Sequence, residues 1–231
     1  MPQRNETTYT VAKATLLAEL NGLWDGPAWG PVASLHIRHF HPRSSNHRPV
    51  TEAKLLHNDQ NIYVLFRVRD QYVRSVVTTM HGPVCQDSCV EFFLRTRLDK
   101  GYFNFEINAG GTLHVSYIED CKRLPDGGFA KFEFLKPELA RQVHLFHSLP
   151  DVVEPEIADP TEWLVECCVP VPVLEQYVGA IGPLSGQEWR ANFYKCGDLT
   201  SHPHWASWAP IGTELNFHAP EFFAPIRFAS A

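Results

Sequence analysis

Helical periodicity, long apolar runs, paired cysteine motifs and an excess of basic charge are all missing from this chain of 231 residues. No stretch approaches the roughly 20 apolar residues that a spanning helix needs, so no membrane span is expected. Lys and Arg number 20 against 26 Asp and Glu, a net charge of −6 without a block of either sign. Phosphate neutralisation supplies most of the affinity for nucleic acid, so no nucleic-acid partner is expected. The six cysteines, Cys85, Cys89, Cys121, Cys167, Cys168 and Cys196, contain no CxxC pair. The Cys85/Cys89 spacing finds no matching pair downstream, which argues against a zinc site. A chain this long does not need disulfides, and mostly reduced, buried thiols are expected. The start, "MPQRNETTYTV", lacks a basic-then-apolar leader. That leaves two readings of location: the protein stays inside the cell, or a leader has been removed.

What the chain has is a period of two. Hydrophobic residues make up 44% and aromatics 12%, enough for one well-filled core. "NIYVLFRVRD" (61–70) alternates cleanly, and "TEAKLLH" with the turn "NDQN" before it reads as a hairpin. "YFNFEIN" (102–108) puts Phe103, Phe105 and Ile107 on one face. Further strands are expected at 112–118, 129–135, 143–147, 163–169, 189–195 and 225–228. "VAKATLLAEL" is ambiguous, and "PVLEQYVG" (172–179) reads as a short helix with Pro near its start and Gly near its end. About ten strands separated by Pro and Gly predict an all-β fold, a single-domain β-sandwich with one or two short helices. No repeat or linker divides the chain.

The stretch "PVCQDSCVEFFL" (83–94) carries one carboxylate, Glu91, inside an apolar strand pattern. Pairing 88–94 with 102–108 must align their apolar faces, because a one-residue slip turns every side chain over. The central register sets Glu91 opposite Glu106, with Asn104, Asn108 and Tyr102 on the same face. Registers two residues either way would set Asn108 or Asn104 opposite Glu91. Two readings follow: a solvated outer face with both glutamates in water, or a polar patch beside aromatic rings that suits the hydroxyls and C–H face of a sugar. Paired carboxylates also invite a glycoside hydrolase reading.

Four runs, "QDSCVEFFL", "YFNFEINAGGTLHVSY", "ANFYKCGDLTSHPHWASWAPI" and "FHAPEFFAPIRF", together resemble the family 9 carbohydrate-binding modules, most of all their stand-alone bacterial branch. "LNGLWDGPAW" resembles that family's opening turn, and the resemblance spans roughly residues 20 to 228. It implies a jelly-roll-like sandwich that binds a glycan without catalysis, serves polysaccharide utilisation and associates with glycoside hydrolases. Such modules usually act outside the cytoplasm. Carried over by position, the family's binding glutamate falls on Glu91, one asparagine on Asn108 and an amide position on Tyr194. The two clamp tryptophans fall on Cys85 and Phe217, and the arginine position on Glu106. Trp205 or Trp208 is the expected replacement platform, the pair being split between core and surface.

No cofactor is expected. Calcium stays open as a structural ion for the loops, although no contiguous ligand motif is present. His202 and His204 in "SHPHWASW", and the run "LHIRHFHPRSSNHR" (35–48), read as solvent-facing loops rather than metal ligands. Some relatives of this sandwich bind haem, and Met80 with Lys195 or a histidine is the pair that would do so here.

Overall fold

The clean alternation at 61–70, 88–94 and 102–108 is satisfied by two β layers that share one core. The structure, a computed structural model, describes residues 7–14 and 19–230. Its first half contributes β1 (Tyr9–Lys13), β2 (Leu35–Ile37), β3 (His39–Phe40), β4 (Val50–His57), β5 (Asn61–Asp70), β6 (Val73–Ser75), β7 (Cys89–Arg95) and β8 (Tyr102–Asn108). Its second half adds β9 (Leu113–Arg123), β10 (Phe129–Phe134), β11 (His144–His147), β12 (Val153–Ile157), β13 (Thr161–Pro170), β14 (Glu188–Cys196), β15 (Trp205–Ser207) and β16 (Ala224–Phe228). Two short helices are α1 (Pro137–Ala140) and α2 (Val171–Val178). Among the described residues no helix is long and apolar enough to cross a membrane.

One layer runs β10-β9-β8-β7-β14-β16, the other β4-β5-β13-β11. β1 joins them, pairing parallel with β16 through Tyr9–Val11 and with β4 through Ala12 and Lys13. Between the layers lie Ile62, Val64, Phe66 and Val68 of β5, facing Val90, Phe92, Leu94, Phe103 and Phe105. Phe66 meets Phe92 and Phe193 across the gap at ring-centroid distances of 6.3 and 6.4 Å. Residues 11–13 of the ambiguous "VAKATLLAEL" stretch are strand, not helix, because Val11 is needed in the core. Positions 15–18 lie outside the described residues. More strands form than the ten expected, since β2, β3 and β15 hold only two or three residues each and show no readable alternation.

The outer faces are covered too. Over the second layer, Trp24 and Trp29 pack on Leu56, Tyr63 and Leu65. Glu166 anchors that cover: it accepts from Trp29 Nε1 at 2.9 Å and from the Gly22 amide at 2.8 Å. Over the first layer, Ile211, Phe217 and Phe223 lie against Phe93, Tyr102 and Tyr194. This second cover decides what Glu91 faces.

The two histidine-rich runs are only partly solvent-facing: His36 and His39 are exposed, while His47 and His204 turn inward. They meet at a buried ion pair inside the sandwich. Lys195 points inward from β14, fully buried, with Nζ 3.5 Å from Asp70 and 2.7 Å from His204 Nε2. Asp70 also takes His47 Nε2 at 2.7 Å and Trp163 Nε1 at 3.0 Å. His202 stacks on Tyr72 with centroids 3.6 Å apart. Burial alone would push Asp70 up, but the Lys195 charge and these hydrogen bonds hold it below the usual carboxylate range. Lys195, engaged in this way, cannot join Met80, which sits 37% exposed on the surface, as a haem ligand.

Candidate functional site

β7 and β8 adopt the central register: Glu91 lies opposite Glu106, Phe92 opposite Phe105 and Leu94 opposite Phe103. Tyr194 of β14 flanks Glu91 on its other side, and Cys196 lies opposite Cys89. The solvated reading of this face does not hold, because Glu91 is 3% and Glu106 7% exposed. The polar groups are roofed by the chain between 211 and 223 and by the turn at Val84–Gln86.

Where the roof is incomplete a cavity of about 270 Å³ reaches the sheet. Glu91, Glu106 and Cys196 line its inner end, with Cys85 and Asp198 beside them. Trp205 and Phe217 form its aromatic walls, and Arg123, Asn216 and His218 its polar mouth. The volume is just below the roughly 300 Å³ at which pockets for drug-sized ligands begin, room for about one sugar unit.

Each wall is held in place. Trp205 donates from Nε1 to Asp198 at 2.7 Å. Phe217 stacks on Tyr194 with centroids 4.1 Å apart and planes within 12°. Tyr194 in turn donates its hydroxyl to the Phe217 carbonyl at 3.0 Å. Arg123, at the end of β9, lies with its guanidinium 4.0 Å above the Phe129 ring and donates to the Gly127 carbonyl at 2.8 Å.

Electrostatically the inner end is an uncompensated acid cluster. Burial pushes the Glu91 carboxyl well up, and the neighbouring Glu106 charge pushes the same way. Burial also raises Glu106, against the pull of His114 and of a hydrogen bond from Asn104 Nδ2 at 2.8 Å. Asp198 is raised by burial as well, while the His218 imidazole is held down and neutral. Neither glutamate has an ion-pair partner among the described residues.

The expected site residues therefore divide. Glu91, Glu106, Cys85, Trp205 and Phe217 come together around the cavity. Asn108 is on the expected face but points elsewhere: Nδ2 donates to the Val77 carbonyl and to Asp87, and Oδ1 accepts from the Thr112 amide. All its capacity goes to holding the 74–77 segment and the 109–112 turn. Tyr194 sits beneath Phe217, fully buried. Trp208 belongs to the core, edge-on to Phe193 at 5.6 Å. Arg123, Asp198, Asn216 and His218 carry no sequence signal of their own; only strand order and the 211–223 roof bring them here.

Larger cavities of about 510 and 500 Å³ exist. One is rimmed by exposed charges of both signs such as Asp99, Glu133 and Lys136, the other by Phe222 and prolines. Neither combines buried acids with aromatic walls. The only tight group of metal-ligating atoms found among the described residues is also at the inner end of the smaller cavity, where Cys89, Glu91 and Cys196 place theirs within 4.8 Å of one another.

A sandwich with buried carboxylates beside aromatic walls has the make-up of a carbohydrate-binding protein. The chain belongs to carbohydrate-binding family 9, whose sequence profile matches residues 32–228. Among solved structures it is similar to a candidate carbohydrate-binding protein from Bacteroides uniformis, with 28% identity, a TM-score of 0.83, and coverage of 96% of this chain and 99% of that one. A family 9 module from Caldicellulosiruptor kristjanssonii in complex with glucose has 14% identity, a TM-score of 0.64, and coverage of 97% and 96%. The same organism's module with cellotriose gives 14%, 0.65, 97% and 94%. At that identity the likeness is one of fold. No curated protein matches the sequence.

Proposed function

We propose that the chain is a non-catalytic glycan-binding module whose site is the cavity of Glu91, Glu106, Trp205 and Phe217. The observation that carries this reading is the buried pair of acids opening onto a sugar-sized space between two aromatic side chains. Carboxyl oxygens of Glu91, Glu106 and Asp198 accept from ligand hydroxyls, while the Arg123 guanidinium, delivered from the end of β9, donates. Arg123 thus takes the part that the family resemblance assigned to the position of Glu106. Trp205 and Phe217 supply apolar faces for the C–H side of the ring. Small cavity size favours one terminal unit over the interior of a chain.

Catalysis is disfavoured by placement. Glycoside hydrolysis needs two carboxyls flanking the scissile bond. Glu91 and Glu106 lie side by side on one strand pair and reach a ligand from the same side. Polysaccharide utilisation in a bacterium, alongside glycoside hydrolases, is the setting such a module fits. A glycan array run with and without calcium, followed by calorimetric titration of the best sugar, tests the reading. Glu91→Gln keeps shape but replaces one carboxyl oxygen with an NH₂ donor, and should weaken binding by roughly 0.5–1.5 kcal/mol, the scale of a neutral hydrogen bond. Unchanged affinity would place the site elsewhere.

A further inference from the structure

The hydrogen-bond inventory at the inner end of the cavity is short of donors. Glu91 is 97% buried, and its only hydrogen-bond partner among the described residues is a thiol: Cys196 Sγ lies 3.1 Å from Oε1. No N–H or O–H group reaches either oxygen among the described residues. Cys89, directly opposite Cys196 on the neighbouring strand, is fully buried behind the cavity, with its Sγ within 4.8 Å of the Cys196 and Glu91 ligand atoms. Its thiol leans on the Val90 carbonyl at 3.6 Å, a weak contact. The nearest buried cation, Lys195, projects from the opposite face of β14 and is committed to Asp70 and His204. Three groups able to carry negative charge thus converge with nothing positive among them.

We infer that Cys89, Cys196 and Glu91 form a binding site for one thiophilic divalent cation, such as zinc, with a fourth position open to the cavity. Four-coordinate zinc with bonds of about 2.0–2.3 Å separates its donors by about 3.5–3.8 Å, inside the 4.8 Å that encloses these three atoms. Cys85, Glu106 and Asp198 line the same cavity and are the further donors facing the open position. Binding would release the two thiol protons and the Glu91 proton and leave two thiolates and one carboxylate on the ion, a site of net charge −1, so affinity should rise with pH. Two sulfur ligands select against calcium and magnesium. This inference does not depend on the sugar reading.

The test uses the full-length protein, reduced and stripped with chelator, titrated with Co²⁺. A thiolate-to-cobalt charge-transfer band and the visible bands of four-coordinate cobalt should grow to one equivalent and vanish on adding Zn²⁺. Ca²⁺ should have no effect. Cys89→Ser and Cys196→Ser should each weaken cobalt binding at least tenfold and cut the charge-transfer intensity by about half, while Cys121→Ser leaves both unchanged. Should a serine variant fail to fold, alkylation of the parent followed by mass spectrometry decides: zinc must slow labelling of Cys89 and Cys196. Absence of the band, its survival at parental intensity in both variants, or labelling indifferent to zinc would overturn the proposal.

Discussion

Glu91 and Glu106 are register partners on adjacent strands, and both carboxyls open onto one cavity from a face that the 211–223 segment nearly seals. Directly opposed like charges destabilise a strand pair, and burial adds to that cost. The arrangement is tolerable because the pair can hold protons or accept a ligand's donors.

The sign of the pH dependence at Glu91 follows. A carboxyl whose folded pKa is raised contributes stability below its unfolded value, about 4.3, and loses it as pH rises through the folded value. Glu91→Gln, which cannot ionise, should therefore melt at a higher temperature than the parent at pH 8, with the difference shrinking toward pH 4. Melts in chelator across that range would test it; parallel curves would mean that Glu91 is stably ionised.

Two tryptophans three residues apart should behave in opposite ways. Trp205→Ala removes a cavity wall and should lower sugar affinity about tenfold with a modest change in melting temperature. Trp208→Ala opens a hole against Phe193 and should cost about 3–5 kcal/mol of stability. Calorimetry and denaturant titration of both variants separate the roles.

Asn108→Ala should act on folding. Its amide ties Val77 and Asp87 to the turn at 109–112, so its loss should cost roughly 1–3 kcal/mol while the affinity of the folded fraction stays as in the parent. A selective loss of sugar binding, with stability unchanged, would contradict the geometry.

Asp70 and Lys195 should show strong coupling. Lys195→Met leaves Asp70 buried without its cation and should destabilise by about 3–5 kcal/mol. Adding Asp70→Asn should restore part of that loss, and denaturant midpoints of the four proteins give the coupling energy.

Acid should weaken the same network. Burial and the Lys195 charge hold His204 down to about 3, so the unfolded chain takes up its proton first. Stability should fall as pH drops from about 6.5 toward 3, by up to about 1.4 kcal/mol per unit from His204. Asp70, held below the usual range, adds to the loss below about pH 4. The raised glutamates oppose this trend, so the cleanest measurement is a pH series on the Glu91→Gln, Glu106→Gln double variant. His218, which burial also holds down to about 3, adds to the same loss, and a flat profile there would mean that both histidines are protonated in the folded protein.

Local alternation was enough to set the β class and the β7–β8 register, because a slip by one residue would drive Phe92, Phe103 and Phe105 out of the core. It was also enough to put Glu91 and Glu106 on one face. It could not say that this face is roofed, since 211–223 has no period to read and buries its aromatics only where the folded sheet receives them. Nor could it separate Asn108, spent on a turn, from Arg123, which reaches the cavity from the end of another strand. Cys89 and Cys196 share no motif. β7 and β14 become neighbours only when the whole layer forms, because strand order is decided by burial summed over the sheet and leaves no trace in the spacing of any one segment.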